Sequence, residues 1–172
     1  MVWERPVLGR WFEDLEVGLV VAHALTRTIT EADNINFSLS TLNPAPLHLD
    51  RHYAAQTEFG RPLVNSMFTL ALLVGISVHE TTHGTTVANL GFESVAFPAP
   101  VFPGDTIHAE TRVLEVKESS SKPDRRVVTV ETKGFNQDGN EVCYFKRKVL
   151  IWKRDAAPQR RRPYDGVDVW KD

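Results

Sequence analysis

The sequence predicts an α+β domain in which a mostly antiparallel sheet wraps around one buried helix. The first observation is that residues 66–79 are apolar on almost every side, as expected of a helix enclosed by other elements. The second is that strand-like runs, separated by turn residues, fill the C-terminal half. These runs predict strands over 85–97, 106–116, 126–135 and 141–152.

One domain is expected, because 172 residues with 42% hydrophobic content can form one sizeable core. The formal net charge of −2 gives no reason to expect nucleic acid or an anionic membrane as a partner. The single cysteine, Cys143, excludes an internal disulfide and suits a reducing compartment. The start lacks a secretory-signal pattern, and the longest apolar run, MFTLALLVGISV, is too short to cross a bilayer. We therefore expect a cytoplasmic protein.

The N-terminal half supplies shorter elements. The opening VLGRWFEDLEVG mixes aromatic, apolar and charged residues, which predicts a loop packed on the body. A β-like run follows at 20–29, and TEADNINFSLST then predicts a short helix. Thr30 is the expected N-cap of that helix, because Asp33 lies at the capping-box position.

The middle of the chain is a proline-containing turn at 43–48, followed by LDRHYAAQTEFG. We expect about two helical turns there, ended by Gly60 and Pro62. Further on, QDGN predicts a tight hairpin through Asp138-Gly139, and SSSKPD predicts a solvated connection. We expect residues 1–155 to form the domain and residues 156–172 to form a polar tail.

Three motifs occur in a fixed order: LNPAPLHLD at 42–50, FGRPLVNSM at 59–67 and PVFPGD at 100–105. They resemble the GDxNPLHxD, FGxPIAHGM and PVFxGD motifs of the MaoC-like branch of the hot-dog fold, the (R)-specific enoyl-CoA hydratases and dehydratases. The resemblance implies a single hot-dog domain, dimerisation by pairing of sheets, and an acyl-CoA substrate. It implies no cofactor, since CoA is part of the substrate. TITEADN, TEFGRPLVNS, NLGF and FPAPVFPGD look most like the single-domain mesaconyl-CoA hydratase-like subgroup, which acts on short branched or dicarboxylic acyl-CoA thioesters.

By its place in the first motif, His48 is the candidate base that takes a proton from water. Outside such a motif, a lone histidine would more often only hydrogen-bond its own turn. The family's aspartate five residues earlier is Asn43 here, and the family's asparagine is Ala45, so the usual two-residue division of labour does not carry over. Three readings stay open. His48 performs both proton transfers through the bound water, which we favour; a carboxylate such as Asp50 or Asp33 assists; or the site is not catalytic.

The start of the buried helix is the expected site for the thioester oxygen, because its first N–H groups lack intrahelical partners. By family position the donor is the backbone N–H of Ser66. Asn65 replaces the family's histidine and either caps the helix or touches the ligand; an ordinary N-cap is the alternative for both side chains. Arg61 and Arg51 are candidates for the CoA phosphates, as is the arginine run at 160–162.

The stretch HETTH matches the HExxH zinc motif letter for letter. In zinc enzymes both histidines lie in mid-helix, whereas here Gly84 follows and predicts that the helix ends. We therefore expect no metal.

The activity that the resemblance implies is that of a hydro-lyase that reversibly hydrates a 2-enoyl-CoA thioester, and two alternatives to it remain. A hot-dog thioesterase needs a carboxylate on or beside the central helix, and residues 66–79 contain no Asp or Glu. A non-catalytic acyl-CoA-binding subunit would explain why the aspartate is missing at Asn43.

Overall fold

The computed structural model describes residues 9–118 and 122–158. One long helix packs against an antiparallel sheet, as the sequence predicts. The helices are α1 (Glu31–Ser40), α2 (Pro46–Leu49), α3 (Arg51–Ala54) and α4 (Ser66–Thr81), with 3-10 turns at Phe12–Asp14 and Arg154–Ala156. The strands are β1 (Val20–Ala22), β2 (Arg27–Thr28), β3 (Thr86–Ala96), β4 (Thr106–Glu118), β5 (Arg125–Phe135) and β6 (Glu141–Trp152).

The sheet has the order β1-β4-β5-β6-β3, with β2 paired separately to β4. The four C-terminal strands lie within about two residues of their predicted bounds. The hairpin between β5 and β6 uses residues 136–140, because the Asn136 side-chain oxygen accepts the N–H groups of Asp138 and Asn140. Gly139 has the positive φ of 79° that this loop requires.

The predicted strand at 20–29 is wrong as one element, since it splits into β1 and β2. The break falls where Ala24 donates its N–H to the Glu80 carboxylate at 3.1 Å. The His23 ring also contacts Glu80, at 2.8 Å, so this part of the chain is attached to the end of α4. The opening segment packs on the same region, because the N–H groups of Gly9 and Arg10 bond carbonyls at residues 79–81.

Helix α1 begins as predicted, with Thr30 and Asp33 capping each other: the Asp33 N–H donates to Thr30 Oγ1 at 3.1 Å and the Thr30 N–H to Asp33 Oδ2 at 2.8 Å. The proline turn differs from the prediction, because α2 begins inside it at Pro46, a favourable first helical residue. Asp50 then caps a separate helical turn, α3, which ends at Ala54 instead of reaching Gly60.

The expectation that the central helix is buried on every side is wrong for the single chain. Leu73 and Ile76 are buried against the sheet, whereas Met67 is 50% exposed and Ala71 and Gly75 are exposed. The reason is that β4, β5 and β6 cover one side of α4, whereas α1 covers the rest only in part, through the Phe37 and Phe68 rings whose centres are 5.5 Å apart.

A second exposed apolar surface lies on β3, the edge strand beside β6. Its large side chains are between 37% and 51% exposed, namely Leu90, Phe92, Val95 and, just after the strand, Phe97. No helix within the described ranges is both long and apolar enough to span a bilayer. The N-terminal residues 1–8, the connection at 119–121 and the tail at 159–172, with its arginine run at 160–162, lie outside the described residues.

Candidate active site

The short helix α2 holds His48 half-buried, with its ring facing the main chain of Leu63. His48 Nδ1 lies 2.8 Å from the Leu63 carbonyl oxygen. Because a carbonyl can only accept, Nδ1 must carry the proton, and in the neutral ring the lone pair is then on Nε2. The fold thus selects the tautomer that a general base needs.

A buried amide in α1, Asn34, positions this turn against the start of α4. Its Nδ2 donates to the carbonyl oxygens of His48 at 3.1 Å and Leu63 at 3.0 Å, and its Oδ1 accepts the Asn65 N–H at 2.8 Å. Asn34 is fully buried. Sequence reasoning missed it, although an asparagine inside a short helix has poor helix propensity and indicates a side-chain role.

The N-terminus of α4 is capped by Asn65, whose Oδ1 accepts the Met67 N–H at 3.0 Å. Its Nδ2 donates to Ser38 Oγ at 3.2 Å, and the residue is 4% exposed. Both ends of the amide are therefore occupied by protein groups, which supports the capping alternative over ligand contact. The Ser66 N–H has no acceptor in the part of the chain that the structure describes, and it lies at the positive end of the helix dipole.

Asn43 belongs to the same network. Its N–H donates to the Ser38 carbonyl at 2.9 Å, and its Oδ1 accepts the Ala45 N–H at 3.1 Å. The side-chain oxygen therefore builds the proline turn, which is a common use of asparagine. The amide NH2 is the part of Asn43 left to orient a water.

The two carboxylates considered as assistants are used elsewhere. Hydrogen bonds from Thr30, together with Arg27, lower the pKa of Asp33. Asp50 accepts the N–H groups of His52 and Tyr53 as the cap of α3. Neither carboxylate hydrogen-bonds His48, so the geometry gives no support to an assisting carboxylate.

A cavity of about 240 Å³ opens at the N-terminus of α4. Its wall includes Phe59, Leu63, Ser66, Thr69, Val101 and Val142. Leu63 connects this cavity with the histidine, because the residue forms part of the wall and its carbonyl oxygen accepts the hydrogen bond from the ring. The His48 ring itself is not in the wall, and neither are Asn43 or Asn65.

A more polar cleft of about 480 Å³ adjoins the cavity and shares Ala99 and Pro100 with it. Arg61 lies in this cleft, with its guanidinium carbon 3.8 Å from the centre of the Phe102 ring. No carboxylate among the described residues pairs with Arg61. Arg51, in contrast, forms a two-pronged ion pair with Glu31, which lowers the pKa of Glu31. The structure therefore brings Arg61, but not Arg51, to the candidate site.

The HETTH stretch lies at the far end of α4, which ends at Thr81, so His83 is outside the helix. Glu80 faces His23, and the rings of His79 and His83 are 6.3 Å apart. In the ranges 9–118 and 122–158, no group of three or more His, Cys, Asp or Glu side chains could hold a metal ion.

The chain is similar in sequence to a known protein family and to characterised members of it. Residues 14–135 match the profile of the family described as "MaoC like domain". The chain is 35% identical over 162 residues to mesaconyl-CoA hydratase of Cereibacter sphaeroides, covering 90% of this chain and 45% of that protein. It is 33% identical over 127 residues to (R)-specific enoyl-CoA hydratase of Aeromonas caviae, covering 74% of this chain and 88% of that one.

Among solved structures, a Mycobacterium tuberculosis protein with a double hot-dog fold superposes with a TM-score of 0.77 at 22% identity. The match covers 90% of this chain and 46% of that one, and it supports the hot-dog fold. This chain spans less than half the length of the mesaconyl-CoA hydratase that it resembles.

Proposed function

This chain belongs to the MaoC-like family, and from that premise we propose that it is a hydro-lyase that reversibly hydrates a 2-enoyl-CoA thioester. The observation that carries the proposal is the hydrogen bond from His48 Nδ1 to the Leu63 carbonyl, beside a cavity at the N-terminus of α4. It supports an oxyanion donor and an acyl cavity at one end of α4, with the candidate base hydrogen-bonded to Leu63, a residue of the cavity wall; these are the parts that hydration needs.

In the proposed reaction, His48 Nε2 takes a proton from water as the water oxygen bonds C3 of the enoyl group. The C2–C3 π electrons move toward the thioester, and the negative charge on its oxygen is stabilised by the Ser66 N–H. The imidazolium keeps its Nδ1 proton on the Leu63 carbonyl and returns the other proton to C2. Asn43, which cannot exchange a proton at neutral pH, is assigned the orientation of the water through its NH2 group.

The proposed substrates are short branched or dicarboxylic acyl-CoA thioesters, of the mesaconyl-CoA and 2-methylmalyl-CoA type. The 35% identical relative is named mesaconyl-CoA hydratase, and a cavity of about 240 Å³ suits a short acyl group. Arg61 and the adjoining cleft are assigned to the CoA phosphates, since the guanidinium is exposed and lacks a carboxylate partner among the described residues. No cofactor besides the CoA of the substrate is proposed.

The proposed location is the cytoplasm. The proposed assembly is a homodimer in which the β3 edges of the two subunits pair. Its support is the combination of an unpaired edge with exposed Leu90, Phe92 and Val95, because exposed apolar edges invite pairing. The exposed apolar side of α4 also supports a dimer, because an exposed apolar patch marks a surface that another protein covers.

The test is a mass-spectrometric turnover screen with mesaconyl-, itaconyl-, crotonyl- and 2-methylmalyl-CoA. His48→Ala should lower turnover by about 10²- to 10⁴-fold, the usual contribution of a general base. The matched control is His52→Ala, because His52 is an exposed histidine on the neighbouring helix whose ring forms no hydrogen bond within the described residues. Full activity of His48→Ala would remove that histidine from the mechanism.

The same samples separate the alternatives. Release of free CoA, followed with a thiol reagent, would identify a thioesterase instead. Binding of the thioesters without conversion of any of them would identify a non-catalytic subunit.

A further inference from the structure

Thr69 is a buried residue in the wall of the cavity at the start of α4. The residue is 1% exposed and forms part of the cavity wall. Its hydroxyl has no hydrogen-bond partner in the described part of the chain. Two other hydroxyls of α4 behave differently, since Ser77 Oγ donates to the Val74 carbonyl at 2.7 Å and Thr81 Oγ1 donates to the Ser77 carbonyl.

The helix itself explains why the Thr69 hydroxyl is free. A helical threonine usually bonds the carbonyl four residues earlier, which for Thr69 belongs to Asn65. That carbonyl already accepts the N–H groups of Phe68 at 3.0 Å and Thr69 at 3.2 Å. The hydroxyl is not sealed from solvent, because Thr69 borders the cavity. An acceptor supplied by a ligand in the cavity would gain this hydrogen bond.

The hydroxyl lies one helical turn from the proposed oxyanion donor. Ser66 and Thr69 are three residues apart, so they lie on the same face of α4 with a rise of about 4.5 Å between them. An extended four-carbon acyl chain spans roughly 4 Å from C1 to C4, with bonds of about 1.5 Å. A thioester oxygen at the Ser66 N–H therefore places a group on C4 near the Thr69 hydroxyl.

The rest of the cavity wall is apolar. Apart from Ser66 and Thr69, its side chains are apolar, including Phe59, Phe97, Val101 and Val142. A hydroxyl in an otherwise apolar wall discriminates strongly, because a ligand that lacks the acceptor leaves it unpaired, and Thr69 is the hydroxyl-bearing wall residue one turn beyond the Ser66 N–H.

We propose that Thr69 determines specificity: its hydroxyl donates a hydrogen bond to a carboxylate at C4 of the acyl group. The site then selects a short dicarboxylic acyl-CoA over an apolar one of the same length. The positive end of α4 favours the same anionic group. This inference rests on the proposed hydratase function and adds to it the recognition of the far end of the substrate.

The test compares mesaconyl-CoA with 2-methylbut-2-enoyl-CoA, in which a methyl group replaces the distal carboxylate. Thr69→Val exchanges the hydroxyl for a methyl group of nearly equal size. It should lower kcat/KM for mesaconyl-CoA about 10- to 100-fold, the range expected for a hydrogen bond to a charged group. It should leave kcat/KM for 2-methylbut-2-enoyl-CoA within about 2-fold, and Thr69→Ser should restore the preference of the unmodified protein.

Two readouts do not depend on turnover. In a His48→Ala background, Thr69→Val should weaken the binding of mesaconyl-CoA and not that of 2-methylbut-2-enoyl-CoA. Thr69→Val should also leave the melting temperature without ligand nearly unchanged, because the hydroxyl borders the cavity and has no protein partner within the described residues to lose. A lower melting temperature would show that the hydroxyl is paired in the free protein and would overturn the premise.

The outcomes separate the two proposals. Hydration of both thioesters with an unchanged ratio in Thr69→Val would overturn the role of Thr69 and leave the hydratase standing. Conversion of no enoyl-CoA would overturn the hydratase. The Thr69 inference also has a test that needs no turnover: equal affinity of His48→Ala for both thioesters would overturn it.

Discussion

The buried Asn34 amide offers a quantitative test of how the site is held together. Asn34→Ala removes three hydrogen bonds, to the His48 carbonyl, the Leu63 carbonyl and the Asn65 N–H. The Leu63 oxygen keeps the His48 ring as a donor, so two groups lose a partner. At about 1–3 kcal/mol for each buried group left unpaired, the expected loss is about 2–6 kcal/mol of unfolding free energy. The whole free energy of unfolding of a typical domain is only about 5–15 kcal/mol, so this loss would be easy to detect.

The assay is equilibrium unfolding in urea, with the slope compared between variants to check that unfolding remains two-state. Asn36→Ala is the matched control, because Asn36 lies on the same helix, is exposed and has no side-chain hydrogen bond within the described residues. That control should be neutral or stabilising by about 0.5 kcal/mol, since alanine is the better helix former.

A pH series sharpens the test. Asn34→Asp keeps an oxygen for the Asn65 N–H but loses the two donor hydrogens facing the carbonyls of His48 and Leu63. Burial should raise the pKa of the introduced carboxyl above its unfolded value of ~3.9. The folded state then binds a proton more tightly than the unfolded state, so the variant should lose stability as pH rises above ~4. Equal stability of Asn34→Ala and Asn36→Ala, or no pH trend in Asn34→Asp, would refute this account.

Three further outcomes follow from other parts of the fold. Burial raises the pKa of the Cys143 thiol to about 12, so this thiol should react with a disulfide reagent at pH 8 only after unfolding, as absorbance would report. Hydrogen bonds from two lysines of β6 lower the pKa of Glu93 to about 2. Glu93→Gln should therefore be less stable than the unmodified protein above pH 4.5, by a margin that shrinks as pH falls toward 2 in urea titrations. Phe92→Lys should convert the proposed dimer to monomer in light scattering, whereas Val17→Lys, at an exposed valine outside β3, should not.

Most elements could be predicted because their signals are local. The alternation of β5 and β6, the Thr30–Asp33 capping box and the Gly139 turn are each contained in a few consecutive residues. The break between β1 and β2 was missed because its cause, Glu80, is 56 residues away from Ala24. The exposed side of α4 was missed because an apolar pattern does not say whether the covering surface belongs to the same chain.

Among the residues of the candidate site, some are likewise recognisable from local sequence and others depend on distant partners. His48 and Ser66 are predicted as site residues from their places in sequence motifs, and their roles stay predictions. Asn34 is not predicted in this way, since its role depends on partners 14, 29 and 31 residues away. Thr69 resembles any other threonine in an apolar helix until the Asn65 carbonyl is found to be occupied by two N–H groups.

In the proposed mechanism Leu63 performs two tasks, because its main-chain oxygen accepts the hydrogen bond from the imidazole and the residue also belongs to the wall of the proposed acyl cavity. Replacing the leucine by a smaller or larger residue changes the space for the acyl group but keeps the carbonyl. New acyl preferences are therefore accessible by point mutation at this position without rebuilding the proton-transfer apparatus. A laboratory selection for longer acyl chains would be expected to find residue 63 early.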